Sequence, residues 1–170
     1  MKRNLTLLML ILKSLFLLSG IAPNTHYEER NLEKTKRDED HGTIAIYLQN
    51  KHSDIYGGTY TSIDGEKYFL LTEATPEIKK EIKGKSAYPD TFLIKKVQYS
   101  VKQLEAVKRK VSEAVDVLDL QGVGLDIENN KVVAITTTTP NAKNIDILKD
   151  NDPGIIHWKV NKEKSIYEPL

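Results

Sequence analysis

A chain of 170 residues fits one domain, or two small units sharing a sheet, and its 39% hydrophobic and 29% charged residues favour a globular fold over disorder. A formal charge of +1 gives no electrostatic case for nucleic acid as a partner. The absence of cysteine excludes disulfides, thiolate catalysis and thiolate zinc sites, so packing must hold the fold.

At the N-terminus Lys2 and Arg3 precede an apolar run from Leu5 to Leu12, then Lys13, then Leu15 to Leu18. This is a positive n-region followed by a short h-region, and Gly20 and Ala22 are the small residues that signal peptidase needs. Residues 1–22 therefore read as a signal peptide cleaved after Ala22, with an uncleaved membrane anchor as the alternative. A membrane span takes about 20 apolar residues, and Lys13 interrupts this one. No cysteine follows the h-region to carry a lipid. Removing Lys2, Arg3 and Lys13 takes the 25 basic residues to 22 against 24 acidic, a formal charge of −2. The expected location is secreted or extracytoplasmic, with the membrane reached only through an uncleaved leader.

Residues 23–42 are polar and charge-rich, show no helical apolar stripe, and read as a solvated linker; His26 and His41 are expected to be solvated there. Asp38, Glu39, Asp40 and His41 read as a solvated charge run, and no metal is assigned to them.

The folded domain is expected over 43–160. Thr43 to Leu48 is β-branched and apolar enough for a strand. Thr59 to Ile63 and Lys67 to Thr72 form a hairpin about Asp64-Gly65. Thr75 caps a short helix that starts at Pro76, buries Ile78 and Ile82, and ends at Gly84. Phe92 to Tyr99 is the next strand. Ser100 then caps a longer helix, with Gln103 completing a capping box and Tyr99 and Leu104 placed as a hydrophobic staple. Leu104, Val107, Val111, Ala114, Val115 and Leu118 give this helix one apolar face. A second hairpin turns at Asn129-Asn130, a second short helix spans Pro140 to Leu148, Asp152-Pro153-Gly154 turns, and Ile155 to Val160 is the last strand.

Landmarks repeat with a shift of 64 positions: Gly58 to Gly122, Lys67 to Lys131, and Pro76 to Pro140. The chain thus reads as an internal repeat, 58–99 and 122–160. The expected fold class is α+β: two strand–strand–helix–strand units sharing an antiparallel sheet, joined by one longer amphipathic helix. Residues 161–170 form a C-terminal tail, polar except for Ile166, Tyr167 and Leu170.

Gly58-x-Tyr60, Val97-x-Tyr99-Ser100 with Leu104, and Gly124-x-Asp126-x-x-x-Asn130-Lys-Val-Val133 resemble the prosegments of α-lytic-protease-like and streptogrisin-like secreted serine proteases. The resemblance covers residues 55–160. It implies an intramolecular chaperone that binds the protease's C-terminal β-barrel, speeds its folding and then inhibits it. The sequence has no Gly-Asp-Ser-Gly, so it looks like a prosegment without its protease domain, and proteolytic activity does not carry over.

The expectation is a non-enzymatic protein, free of cofactors, that assists the folding of a secreted chymotrypsin-like serine protease or inhibits it. By analogy with the family, Ile166, Tyr167, Glu168, Pro169 and Leu170 would enter the protease cleft in extended form. The alternatives are an extracytoplasmic binding module for another ligand, such as a cell-surface component, and the remnant of a truncated precursor. Candidates for chemistry are few. Adjacent His52, Ser53 and Asp54 diverge and form no triad. His157 alternates with Trp158 on a strand and reads as a satisfied structural histidine. Asp126 and Glu128 share a strand face and read as solubility residues beside a turn.

Overall fold

A computed structural model describes residues 25–138 and 152–161. Its helices and strands form an α+β fold with two three-stranded sheets. In chain order the elements are α1 (Thr25–Lys51), β1 (Tyr56–Thr61), β2 (Lys67–Leu71), α2 (Pro76–Lys85), β3 (Phe92–Lys96), α3 (Val101–Glu113), α4 (Val115–Leu118), β4 (Leu120–Asp126), β5 (Lys131–Thr136), a 3₁₀ turn (Pro153–Ile155) and β6 (Ile156–Val160). Two compact units divide the chain, Met1–Lys36 and Arg37–Leu170. Within the first, α1 is exposed at every position from Tyr27 to Lys36.

The residues expected as a linker and a strand form α1 instead. Thr43 to Leu48 contains β-branched residues, but His41, Ile44 and Leu48 are spaced three and four apart, and all three are buried. That helical spacing places Ile44 and Leu48 on one stripe against Phe69, Leu71, Ile82 and Phe92, and packing overrides strand propensity.

The expected shared antiparallel sheet is also corrected. The sheets are separate and mixed: β1 is antiparallel to β2, which is parallel to β3; β4 is antiparallel to β5, which is parallel to β6. A crossover through α2 returns β3 beside β2 in the same direction, which a tight hairpin cannot do. Each first strand carries an irregularity at the same place, between Tyr56 and Gly58 and between Leu120 and Gly122. Tyr56 pairs with Leu71 and Leu71 with Lys96; Leu120 pairs with Thr136 and Thr136 with Val160. The outer strands thus keep the 64-residue shift (56 to 120, 96 to 160), while the middle strand needs one residue more, Leu71 matching Thr136. Lys67 and Lys131 are not structural equivalents, because the pair Thr61–Lys67 corresponds to Leu125–Val132, with one more residue between the partners.

α3 is not only a connector. Leu104, Val107 and Val111 repeat the three–four spacing of His41, Ile44 and Leu48, and α3 packs on the second sheet with Val132, Ala134 and Ile155. A unit of helix, two strands, connection and parallel strand therefore occurs twice, with α1 opening the first and α3 the second. The expected apolar face is buried in this core at Leu104, Val107, Val111, Ala114 and Leu118; only Val115, 45% exposed, departs from it, because the helix breaks at Ala114 before Asp119 adopts the left-handed conformation (φ 50°). α2 is capped by Thr75 as expected and extends one residue past Gly84. The short helix expected over 140–148, the leader 1–22 and the tail residues Ile166 to Leu170 lie outside the described residues. Among the described residues no helix is long and apolar enough to cross a membrane.

Candidate functional site: the repeat junction and the outer sheet faces

Of the residues that carry the prosegment resemblance, Gly58, Tyr99, Ser100 and Asn130 lie where the two repeats join, while Tyr60, Gly124 and Asp126 lie away from it. Ser100 Oγ accepts from the Gln103 amide at 3.3 Å, and Gln103 Oε1 accepts from the Ser100 amide at 2.8 Å, completing the capping box that starts α3. Tyr99 and Leu104 are buried in the second core. Asn130, at φ 54° in the second hairpin loop and 6% exposed, clamps the segment before that cap. Its Oδ1 accepts from the Gln98 and Tyr99 amides at 3.1 and 2.8 Å, and its Nδ2 donates to the Tyr99 carbonyl at 2.8 Å. Three backbone groups of an irregular segment are thereby satisfied by one side chain.

Asp152 finishes the joint from the other side. Its Oδ2 accepts from the Tyr99 hydroxyl at 2.7 Å and from Gln98 Nε2 at 2.9 Å, and its Oδ1 accepts from the Gly154 amide at 2.8 Å. These donors, the Tyr99 hydroxyl foremost, hold the Asp152 carboxyl below its ordinary range. Burial, reinforced by Asp152, pushes Tyr99 up to about 12. Lys131 donates to the Gly154 carbonyl and places its ammonium 5.2 Å from the Tyr99 ring centroid. Sequence reasoning assigned Asn130 and Asp152 to turns and missed these roles, which depend on residues 31 and 53 positions away.

On the first sheet the junction is tight. A Cβ on Gly57 would lie 2.6 Å from Val97 Cγ2. One on Gly58 would lie 2.7 Å from Ile127 Cγ2 and 3.3 Å from Val101 Cγ2. Gly58 has φ 106°, a conformation that favours glycine. Leu70, paired with Gly58 in the middle strand, is fully buried. Thus Val97, Val101 and Ile127 cover part of the first sheet on the side opposite Phe69 and Leu71. The next row on that side is Tyr60, Tyr68 and Leu93, in register across the three strands. The two tyrosine rings stack at 4.9 Å with 7° between planes, and Tyr68 donates to Glu66 at 2.7 Å.

The corresponding side of the second sheet is built differently. Its rows are Gly122–Ile135–Lys159 and Gly124–Val133–His157. Among the described residues, a Cβ on Gly124 would meet nothing within 4 Å, and one on Gly122 only Ile135 Cδ1 at 3.8 Å. Ile135 and Val133 are half-buried, His157 and Lys159 exposed. Asp126 stands at the end of this face, its carboxyl held below the ordinary range first by the Asn129 side chain and backbone, with smaller help from Lys159 and His157.

The histidines differ from expectation. His157 is not the structural histidine; Trp158 takes the core side of β6 and His157 the outer side. The structural one is His41, expected to be solvated but 6% exposed, set edge-on to Phe69 and Phe92 with its Nε2 2.8 Å from Thr91 Oγ1. Burial pulls its pKa below 6.5; Lys67 adds to this, Asp40 and Asp38 oppose it, and Arg37 lowers it further. His52 lies in the loop directly after α1. Its Nε2 is 3.2 Å from Glu81 Oε1, which also accepts from the Tyr47 hydroxyl, so the pair pins the end of α1 to α2. No group of three or more acidic, histidine or cysteine residues among the described residues is arranged to hold a metal.

No protein-family model matches this chain, and no curated protein is similar to it.

Proposed function

We propose that this chain is a prosegment-like extracytoplasmic protein that binds a secreted chymotrypsin-like serine protease, assisting its folding or inhibiting it, without chemistry of its own. The observation that carries the reading is the convergence of Gly58, Tyr99, Ser100, Leu104 and Asn130 on one joint. These motif residues are not scattered surface positions. They set how two small sheets are held together, which is what a protein acting as a folding surface for another must preserve.

Binding would use the sheets themselves. Each three-stranded sheet has two edge strands, so an extended segment of the protease can add as a further strand by main-chain hydrogen bonds. In this reading Ile166 to Leu170 enters the protease cleft as an extended, product-like tail, with Pro169 favouring that shape. The test is a titration of the protein, with and without residues 1–22, against secreted chymotrypsin-like proteases, following inhibition of active enzyme and recovery of activity after denaturation. Inhibition or assisted refolding is expected. A folded protein that does neither would overturn the reading and favour an extracytoplasmic binding module for a different ligand. Deleting residues 166–170 is expected to weaken inhibition; unchanged inhibition would remove the tail from the mechanism.

A further inference from the structure

Resting on that reading, we infer that the tip of the first hairpin is a docking knob whose Ile63 seats in an apolar depression on the protease. Ile63 is fully exposed (102%), so no part of this chain covers it. A single aliphatic residue in solvent is ordinary on a protein surface. What sets Ile63 apart is its counterpart. β1 and β4 keep the 64-residue shift, and carrying that shift into the hairpin loops matches Ile63 to Ile127. Ile127 is the residue of the second hairpin that plugs the neighbouring repeat: a Cβ on Gly58 would lie 2.7 Å from its Cγ2 and 3.3 Å from its Cδ1. The same element of the repeat is packed on a strand glycine in one copy and left in water in the other.

The tip is held in one shape. The Ser62 amide donates to the Glu66 carbonyl at 2.9 Å, the Ser62 carbonyl accepts from the Gly65 amide at 2.9 Å, and Ser62 Oγ accepts from the Glu66 amide at 3.1 Å. Gly65, at φ 84°, supplies the left-handed step that closes the loop. A partner that covers Ile63 therefore gains the burial of its side chain without having to order the loop that carries it.

The seat of Ile127 defines the occupant: a strand with glycine where a side chain would clash, beside branched aliphatic groups, as Val97 and Val101 stand against Gly57 and Gly58. Asp64, exposed next to Ile63, favours a basic group at the rim of the depression. β1 is an edge strand and Ile63 follows it by two residues, so a protease segment paired along β1 runs up to the knob. Edge and tip then belong to one contact.

The experiment uses the full chain and three variants of the exposed tip. Ile63→Ser removes the aliphatic group, Ile63→Leu keeps one of equal size, and Asp64→Asn removes the charge. Affinity for a secreted chymotrypsin-like protease is measured by inhibition titration, with thermal midpoints and sedimentation of the free protein as controls. Ile63→Ser is expected to weaken binding by about tenfold or more, with an unchanged midpoint, since the side chain is exposed in the free protein. Ile63→Leu is expected to stay within about threefold of wild type. Asp64→Asn is expected to slow association, by a smaller factor at high salt. Wild-type binding matched within about twofold by Ile63→Ser would overturn the inference and leave the protease reading standing. If protease binding survives and Ile63→Ser instead abolishes self-association, the occupant is a second copy of this chain and the inference is likewise overturned. A wild-type chain that binds no such protease would overturn both.

Discussion

The two sheets share strand order, strand direction and the position of an irregularity in the first strand, yet Val97, Val101 and Ile127 close over part of the outer side of one, while among the described residues nothing comes within 4 Å of a Cβ on Gly124 in the other. Leu70 is fully buried beneath Val97, Val101 and Ile127, while its counterpart Ile135 is half-buried. One backbone plan therefore supports two surfaces, and the difference lies in a handful of side chains. In the first unit the face is consumed in joining the halves of the molecule. In the second, no described residue plays the part of Val101 or Ile127 over Gly122.

The sharpest way to break this comparison is to treat the two equivalent glycines alike. Gly58→Val puts a β-branched residue at φ 106° and a Cβ 2.7 Å from Ile127. Backbone strain and overpacking each cost about 1–3 kcal/mol, so a loss of about 3 kcal/mol or more is expected, enough to threaten a marginal domain. Gly122→Val, whose Cβ would meet among the described residues only Ile135 at 3.8 Å, should shift stability by less than about 1 kcal/mol in either direction. Urea unfolding midpoints compare the two; equal losses would show that the faces are equivalent after all.

The joint itself is tested at Asn130. Replacing it by alanine strands the Gln98 and Tyr99 amides and the Tyr99 carbonyl and keeps an unfavourable positive φ, with an expected cost of about 2–4 kcal/mol. Asn130→Gly relieves the backbone and should recover about 1 kcal/mol of that loss. Asn130→Asp keeps the acceptor but sets a carboxylate oxygen against the Tyr99 carbonyl, and should fall no better than glycine. A glycine variant as stable as wild type would reduce Asn130 to a turn residue.

That reduction is how the sequence alone presents Asn130, and the reason is general to this molecule. The capping box at Ser100, the Thr75 cap and the landmarks at Gly58 and Gly122 are local patterns, readable within a few residues, and they place α2, α3 and the hairpins correctly. The parallel strands are not local: β3 and β6 read as strands, but nothing within them says which neighbour or direction they take. α1 was hidden because its polar first half carries no stripe and its second half is β-branched. Only the match of His41, Ile44 and Leu48 to Leu104, Val107 and Val111 exposes it, and that needs the second unit as a reference.

His41 marks another contrast, since its place in the first unit is taken by Leu104 in the second. Its lowered pKa means that the folded protein binds the proton more weakly than the unfolded chain. Stability from this residue is complete above its unfolded value near 6.5 and is lost as pH falls from there toward the lowered folded pKa, where the loss levels off. Lys67 and Arg37 face it as unfavourable charges, and Asp38 and Asp40 soften the effect. His41→Leu, the residue of the twin position, should flatten the decline in thermal midpoint between about pH 7 and pH 5. The decline at lower pH, where the depressed carboxyls of Asp152, Asp126 and Glu81 begin to protonate, should persist. Identical pH profiles would remove His41 from the account.

The smallest effect is expected where the two units also touch through charge. Lys102 Nζ lies 2.8 Å from Asp54 Oδ1, linking the start of α3 to the loop before β1, but the side chains are 69% and 80% exposed. Water screens such a pair and ordering two mobile side chains offsets most of the attraction. Each partner favours the charged form of the other, Asp54 shifted down and Lys102 up, which is local electrostatics and no measure of the joint's strength. Lys102→Ala should therefore leave the unfolding midpoint unchanged within error, at low and high salt alike. A clear loss that salt abolishes would mean that the units are held by surface charge as well as by Asn130 and the apolar contact over Gly58, and the sealed face would owe less to packing than its geometry implies.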